Sequence, residues 1–104
     1  MRYGISLDMG TSGTRAHSVD LSDGKILSTS VTDCHPLPGA NIMDHLTFCI
    51  NVGTELAHKI VMDTVNKVIR TLDVDLKKVE KVSICGNPIQ LSLFQGLPVD
   101  DFAF

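Results

Sequence analysis

The chain has 104 residues, of which 43% are apolar, so it is long enough for one hydrophobic core and too short for two ordinary domains. Nine Lys and Arg residues against twelve Asp and Glu residues give a net charge of −3, which argues against a nucleic-acid partner. The apolar runs are far shorter than the roughly 20 residues of a membrane span, and the first residues lack a signal-peptide core. We expect a soluble, cytoplasmic protein without a membrane partner.

The first third of the chain has the pattern of a three-stranded antiparallel meander. Residues 3–8 and 15–21 alternate apolar and polar side chains, and residues 26–32 are rich in β-branched ones. Asp23-Gly24 supplies the positive φ that a tight hairpin turn needs. Residues 35–41 contain two prolines and a glycine, and therefore predict a loop that ends the meander.

The middle of the chain has the period of one long amphipathic helix. Asp44 is a plausible N-cap, and apolar residues then recur at three- and four-residue steps as far as Leu72. Residues 79 and 82–85 predict a fourth strand that is apolar enough to be buried on both faces. Gly86-Asn87-Pro88 then turns the chain into a short helix over residues 89–95. The predicted fold is α/β, with the order β-β-β-α-β-α.

The segment between the first two strands has the sequence Asp8-Met9-Gly10-Thr11-Ser12-Gly13-Thr14. Gly10 and Gly13 can take positive φ, so successive N–H groups can point the same way and form a nest for an anion. Phosphate suits such a nest. These residues are also the ones that ordinary hairpin turns prefer, so a plain turn is the competing interpretation.

The polar side chains of this segment indicate a nucleotide phosphate with its metal ion. Thr11, Ser12 and Thr14 can donate hydroxyl hydrogen bonds to phosphate oxygens. Asp8 would repel phosphate, and is better suited to hold a hydrated Mg²⁺ as the catalytic carboxylate. A strand follows the segment directly, whereas a P-loop or a dinucleotide fingerprint would lead into a helix.

Residues 4–15 resemble the first phosphate motif of the actin, hexokinase and Hsp70 ATPase superfamily, whose half-domains have a ribonuclease H-like fold. The resemblance covers nearly the whole chain. It implies that residues 1–104 are the N-terminal part of an actin-like ATPase domain that binds ATP. The last strand of the half-domain and the remaining subdomains would then be absent, and the apolar final residues agree with truncation.

Residues 35–45, 85–87, 94–97 and 102–104 are similar to the ATP-dependent reductive activases of corrinoid proteins and to related methanogenesis marker proteins. Such activases use ATP to return an inactive Co(II) corrinoid to Co(I) for methyl transfer. The resemblance implies ATP and Mg²⁺ as ligands and a corrinoid protein or methyltransferase as partner. The family's iron-sulfur cluster would lie outside this chain, because Cys34, Cys49 and Cys85 lack ligand spacing.

Several alternatives remain open at this stage. The parent could be a sugar- or acetate-kinase-like phosphotransferase, or the chain could be a non-catalytic dimerisation or interaction module. Asn87 is either a contact near the phosphate or the cap of the second helix. Cys49 and Cys85 are expected to be small buried residues, whereas Cys34 lies in a loop. A sheet without its last strand predicts a homodimer.

The histidines of the loop allow two further interpretations. His35 and His45, with Cys34 and Asp44, could form a metal site, although their spacing is not a known ligand pattern. The loop and the start of the helix could instead be a contact surface for a partner, or simply a helix-entry loop.

Overall fold

The computed structural model describes residues 2–32, 34–39 and 41–99. Its elements are listed here in chain order: β1 (Tyr3–Met9), β2 (Thr14–Asp20), β3 (Ile26–Val31), α1 (Ile42–Val52), α2 (Thr54–Thr71), β4 (Val79–Gly86) and α3 (Pro88–Gln95). A 3-10 turn over Leu76–Lys78 leads into β4. The α/β fold class is confirmed.

The four strands form one mixed sheet in the order β3-β2-β1-β4. β2 is antiparallel to both β1 and β3, which confirms the predicted meander, and β4 is parallel to β1. Because β1 and β4 run in the same direction, Met9 and Gly86 are paired at their carboxyl ends. We call this end of the sheet the carboxyl rim.

The hairpin between β2 and β3 forms where the sequence predicts it. Gly24 has a φ of 77°, and its N–H donates to the carbonyl oxygen of Asp20 at 2.8 Å. The Asp23 carboxylate accepts from the N–H of Lys25 at 2.9 Å. The Asp-Gly pair thus supplies both the positive φ and a side-chain acceptor.

The prediction of one long helix was wrong, because α1 and α2 are separate helices. Gly53 lies between them with a φ of 95°, and its N–H donates to the carbonyl oxygen of Cys49 at 2.8 Å, which closes α1. The N-cap of α1 is Asn41, not Asp44: the Asn41 side chain accepts from the Asp44 N–H at 3.0 Å. The observed order is therefore β-β-β-α-α-β-α.

The prediction that β4 is buried on both faces was also wrong. Val82 is 53% exposed and Cys85 is exposed, while Ile84 is partly buried against the core. Within the described residues, β4 pairs on one side only, with β1. An apolar sequence does not by itself distinguish such an outer strand from a central one.

The core lies on one face of the sheet, where α2 contacts β2 and β3, and α3 contacts β4. Ile5, Leu7 and Met9 point to this face, and Asp8 points to the opposite one, as strand alternation requires. The other buried apolar residues are Ala16, Leu37, Leu46, Cys49, Ala57, Val61, Val65, Val68, Leu72, Ile89, Leu93 and Val99. The burial predicted for Cys49 is confirmed.

Candidate functional site at the carboxyl rim

The segment from Gly10 to Gly13 links β1 to β2 at the carboxyl rim. The N–H of Gly10 donates to the carbonyl oxygen of Gly13 at 2.9 Å, which closes the loop on itself. The backbone N–H groups of Thr11, Ser12 and Gly13 have no hydrogen-bond acceptor within the part of the chain that the structure describes. Three neighbouring donors are therefore available to an anion.

Gly13 is required at its position because the loop passes very close to the end of β3. Its φ is 153°, and an added Cβ would lie 2.7 Å from Thr32 Oγ1 and 2.9 Å from the Thr32 carbonyl oxygen. Two hydrogen bonds hold the contact: the Thr14 N–H donates to Thr32 Oγ1 at 2.8 Å, and the Thr32 N–H donates to the Thr14 carbonyl oxygen at 3.0 Å. Gly10 does not have a positive φ, so that part of the prediction was wrong.

A cavity of about 340 Å³ opens beside this loop. Its lining consists of Asp8, Gly10, Ser12, Gly13, Thr14, Arg15, Val31 and Thr32. Thr11 belongs to the same loop but does not line the cavity. Sequence reasoning missed Arg15 and Thr32. Arg15 follows the loop directly, but its place on the same sheet face as Asp8 depends on the register between β1 and β2.

The charged side chains of the cavity lie on the face of the sheet opposite the core. Asp8 is paired with Arg15 on β2 and with Cys85 on β4, so one cation and one thiol flank its carboxylate. Desolvation raises the pKa of the Cys85 thiol, and Asp8 raises it further by its negative charge and by accepting a hydrogen bond. The thiol therefore stays protonated at neutral pH and is a poor nucleophile. The prediction that Cys85 is buried was wrong.

Asn87 begins α3 directly after β4. Its side-chain oxygen accepts from the N–H of Gln90 at 3.0 Å, and Pro88 occupies the first turn of the helix. Asn87 is therefore the helix cap that the sequence allowed. It does not line the cavity, although Gly86, its neighbour, pairs with Met9 at the rim. Its contact with phosphate stays a prediction.

The predicted histidine site has a different structure. His35 and His45 are buried, and their rings stack with centroids 3.9 Å apart. No group of three or more His, Cys, Asp and Glu side chains within residues 2–32, 34–39 and 41–99 is arranged to hold a metal ion. Cys34 is exposed. The burial of both rings argues against a metal site formed by these histidines. The use of the loop and the start of α1 as a contact surface for a partner stays a prediction.

Comparison with known proteins decides the family. Residues 3–103 match the protein family described as the RACo middle region. The chain belongs to this family. It is 48% identical over 102 residues to the "[Co(II) methylated amine-specific corrinoid protein] reductase" of Methanosarcina barkeri. The aligned region covers 98% of this chain and 19% of that protein. The predicted resemblance to corrinoid reductive activases is confirmed.

A solved structure also resembles this member of the RACo middle region family. The "Reductive activator for corrinoid,iron-sulfur protein" superposes with a TM-score of 0.80 at 26% identity, covering 89% of this chain and 16% of that one. The chain thus spans less than a fifth of the length of each of these relatives. In the described residues, no helix is long and apolar enough to cross a membrane.

Proposed function

We propose that this chain is the first phosphate-binding part of an ATP-dependent reductive activator of corrinoid proteins. The observation that carries the proposal is the cavity at the carboxyl rim, whose lining includes residues with unpaired backbone N–H groups, hydroxyl groups, Arg15 and Asp8. The names of the two relatives support the role in reductive activation, since both refer to reduction or reductive activation of corrinoid proteins.

The sheet supports the placement of the chain in a ribonuclease H-like, actin-like ATPase half-domain. An antiparallel meander is followed, across helices, by a strand that lies parallel to β1. In this proposal, residues 1–104 are the N-terminal part of the domain, and the rest of the nucleotide site lies in other parts of a longer protein. The chain covers less than a fifth of each relative's length, which agrees with a site completed by other parts of a longer protein.

The residues at the rim fit a phosphate group. The free N–H groups of residues 11–13 and the side chains of Ser12 and Thr14 would donate hydrogen bonds to its oxygens. Arg15 adds a fixed positive charge beside them, which compensates for the negative charge of Asp8. Thr11 would contribute through its backbone N–H.

Asp8 fits Mg²⁺ bound through water. Mg²⁺ in nucleotide sites keeps several water ligands and needs one or two carboxylates from the protein. Asp8 is exposed and lines the cavity, so a hydrated ion could lie between it and a phosphate. The ion would neutralise phosphate charge. Asp8 would orient its waters.

The three cysteines do not fit an iron-sulfur cluster in this chain. Cys49 is buried in α1, whereas Cys34 and Cys85 are exposed in a loop and at the end of β4. Within the described residues, no three such ligands are brought together. An iron-sulfur cluster of the longer protein would therefore be bound elsewhere.

The homodimer stays a prediction. Its support is the exposed apolar surface of the two outer strands, with Ile26 60% and Val31 55% exposed on β3 and Val82 53% exposed on β4. Pairing through such strands is a common route to self-association. Light scattering at rising concentration checks it: growth towards twice the monomer mass supports a dimer, and a constant monomer mass contradicts it.

The proposed function is tested in the full-length protein that carries this sequence. The assay follows the Co(II) to Co(I) absorbance change of a corrinoid protein with a low-potential reductant and ATP. Asp8→Asn should reduce the ATP-dependent rate on the order of 100-fold, as for loss of one electrostatic contact in a phosphoryl site. Asp23→Asn is the matched control, because Asp23 lies in the turn between β2 and β3, at the end of the sheet opposite the carboxyl rim, and does not line the cavity. Full activity of Asp8→Asn would contradict the proposal.

A further inference from the structure

Three buried polar side chains from three parts of the chain meet behind the carboxyl rim. His35 lies between β3 and α1, His45 lies in α1, and Gln90 lies in the first turn of α3. Their exposed fractions are 8%, 0% and 0%. Buried polar groups are costly unless they are hydrogen-bonded, so the arrangement of these three is well determined.

The hydrogen bonds fix where each proton lies. The Leu37 N–H donates to Nδ1 of His35 at 3.0 Å, so a neutral His35 carries its proton on Nε2, which donates to Oε1 of Gln90 at 2.7 Å. This orients the Gln90 amide, whose Nε2 donates to Nδ1 of His45 at 3.3 Å. His45 therefore also carries its proton on Nε2. We call the set His35, Gln90 and His45 the histidine relay.

The relay accommodates His35 only as a neutral ring. A second proton on His35 would face the Leu37 N–H, so donor would oppose donor. Nε2 of His45 is buried without a hydrogen-bond partner in the described residues. Burial lowers the pKa of His35. The hydrogen bond to Gln90 partly offsets this effect, and the nearby His45, the titratable group that faces His35, lowers the pKa further.

Gln90 packs beside Gly86 of β4, which pairs with Met9 at the end of β1, the strand that leads into the anion loop. Gly86, at the end of β4, has no side chain between Gln90 and Met9: an added Cβ would lie 3.6 Å from the Gln90 Cβ and 2.8 Å from the Met9 carbonyl oxygen. Met9 immediately precedes Gly10. A shift of Gln90 would therefore be transmitted through Gly86 to the first residue of the loop.

We propose that Gln90 is a positioning residue that supports the end of β1 through Gly86, and with it the anion loop, only while His35 is neutral. Protonation of His35 breaks the relay and releases Gln90. The loop then loses its support from α3. The proposal deepens the proposed function and rests on it only for the consequence that anion binding weakens in acid; the coupling itself is measured without any ligand.

The first test reads the proton positions. Long-range ¹H–¹⁵N spectra of the 104-residue chain at pH 7.5 should show His35 and His45 protonated on Nε2. His58 is an internal reference, because its Nδ1 donates to the Leu93 carbonyl oxygen at 2.6 Å and should carry the proton. In Gln90→Glu, the carboxylate cannot donate to His45, so His45 should move its proton to Nδ1 or become charged. An unchanged His45 in this variant overturns the proposal.

The second test reads the coupling to the loop. On acidification without ligand, the amide signals of Met9 and Gly10 should move with the same midpoint as the imidazole nuclei of His35. The midpoint should rise in Gln90→Glu, where a carboxylate favours a charged ring, and stay unchanged in His17→Gln, which removes a half-buried imidazole outside the relay. The proposal is overturned if the amide signals of Met9 and Gly10 do not move when the relay is protonated. If Gln90→Glu does not fold, different midpoints for the loop amides and the relay imidazoles in the wild type overturn it.

The third test separates this inference from the proposed function. Sulfate is the probe, because its charge does not change between pH 7.5 and 5.5. Signals of Gly13 should report sulfate binding that weakens several-fold over this range in the wild type. Coupling without sulfate binding at any pH supports the relay and counts against the phosphate site. Sulfate binding that does not weaken in acid supports the phosphate site and overturns the positioning role.

Discussion

Replacement of Gly13 by Ala perturbs the contact on which the loop depends. The new Cβ would lie 2.7 Å from Thr32 Oγ1 and 2.9 Å from the Thr32 carbonyl oxygen, both shorter than real Cβ contacts. Since one of these atoms is backbone, the clash cannot be relieved by a side-chain rotation alone. The φ of 153° adds strain for any L side chain.

We expect Gly13→Ala to lower the free energy of unfolding by about 2–6 kcal/mol, as the sum of overpacking and backbone strain. The control is Gly24→Ala: Gly24 also has a positive φ, of 77°, but an added Cβ meets nothing within 4 Å. It should cost only about 1–2 kcal/mol. Urea unfolding followed by circular dichroism measures both. Equal losses in the two variants would refute the close approach of the loop to Thr32.

Three further predictions concern stability. Leu7→Ala should lower the free energy of unfolding by about 2–5 kcal/mol, because Leu7 is 2% exposed. Leu97→Ala, at a position that is 49% exposed, should lower it by less than about 1 kcal/mol. Similar losses in urea unfolding would contradict the assigned core. Asn87→Ala should cost about 0.5–2 kcal/mol through loss of the α3 cap, and Asn87→Ser should recover most of it in thermal unfolding; no recovery would contradict capping. Because the folded pKa of His35 lies below its ordinary value of 6.5, the unfolded chain binds more protons, and stability should fall as the pH drops below about 6.5; urea midpoints that stay constant from pH 7.5 to 5 would contradict this.

Local sequence patterns were sufficient for the meander and for the loop. The two-residue period and the Asp23-Gly24 turn determine β1, β2 and β3 to within one or two residues, because they act over short distances. The position of the anion loop follows from the same pattern. Arg15 joins the site through cross-strand pairing, which depends on register rather than on the loop's own sequence.

The departures from prediction have different causes. Gly53 lies in register with the apolar stripes of α1 and α2, so the apolar period continues through the break and hides the cap that Gly53 forms with its positive φ and its N–H bond to Cys49. The exposure of β4 depends on its place in the sheet. The histidine relay needs His35 and His45 to meet Gln90, although they are 55 and 45 positions from it in the chain.

The most direct test of the account is a calorimetric titration with magnesium-ATP of this chain and of the full-length protein. We expect the full-length protein to bind and the chain to bind more weakly, since it carries part of the site. Arg15→Gln should weaken binding about tenfold, as loss of one charge-assisted contact, while Arg70→Gln in the last turn of α2 should not. Absence of binding by both proteins, or equal affinity of the two variants, would contradict the phosphate site. The loop would then be interpreted as an ordinary hairpin turn.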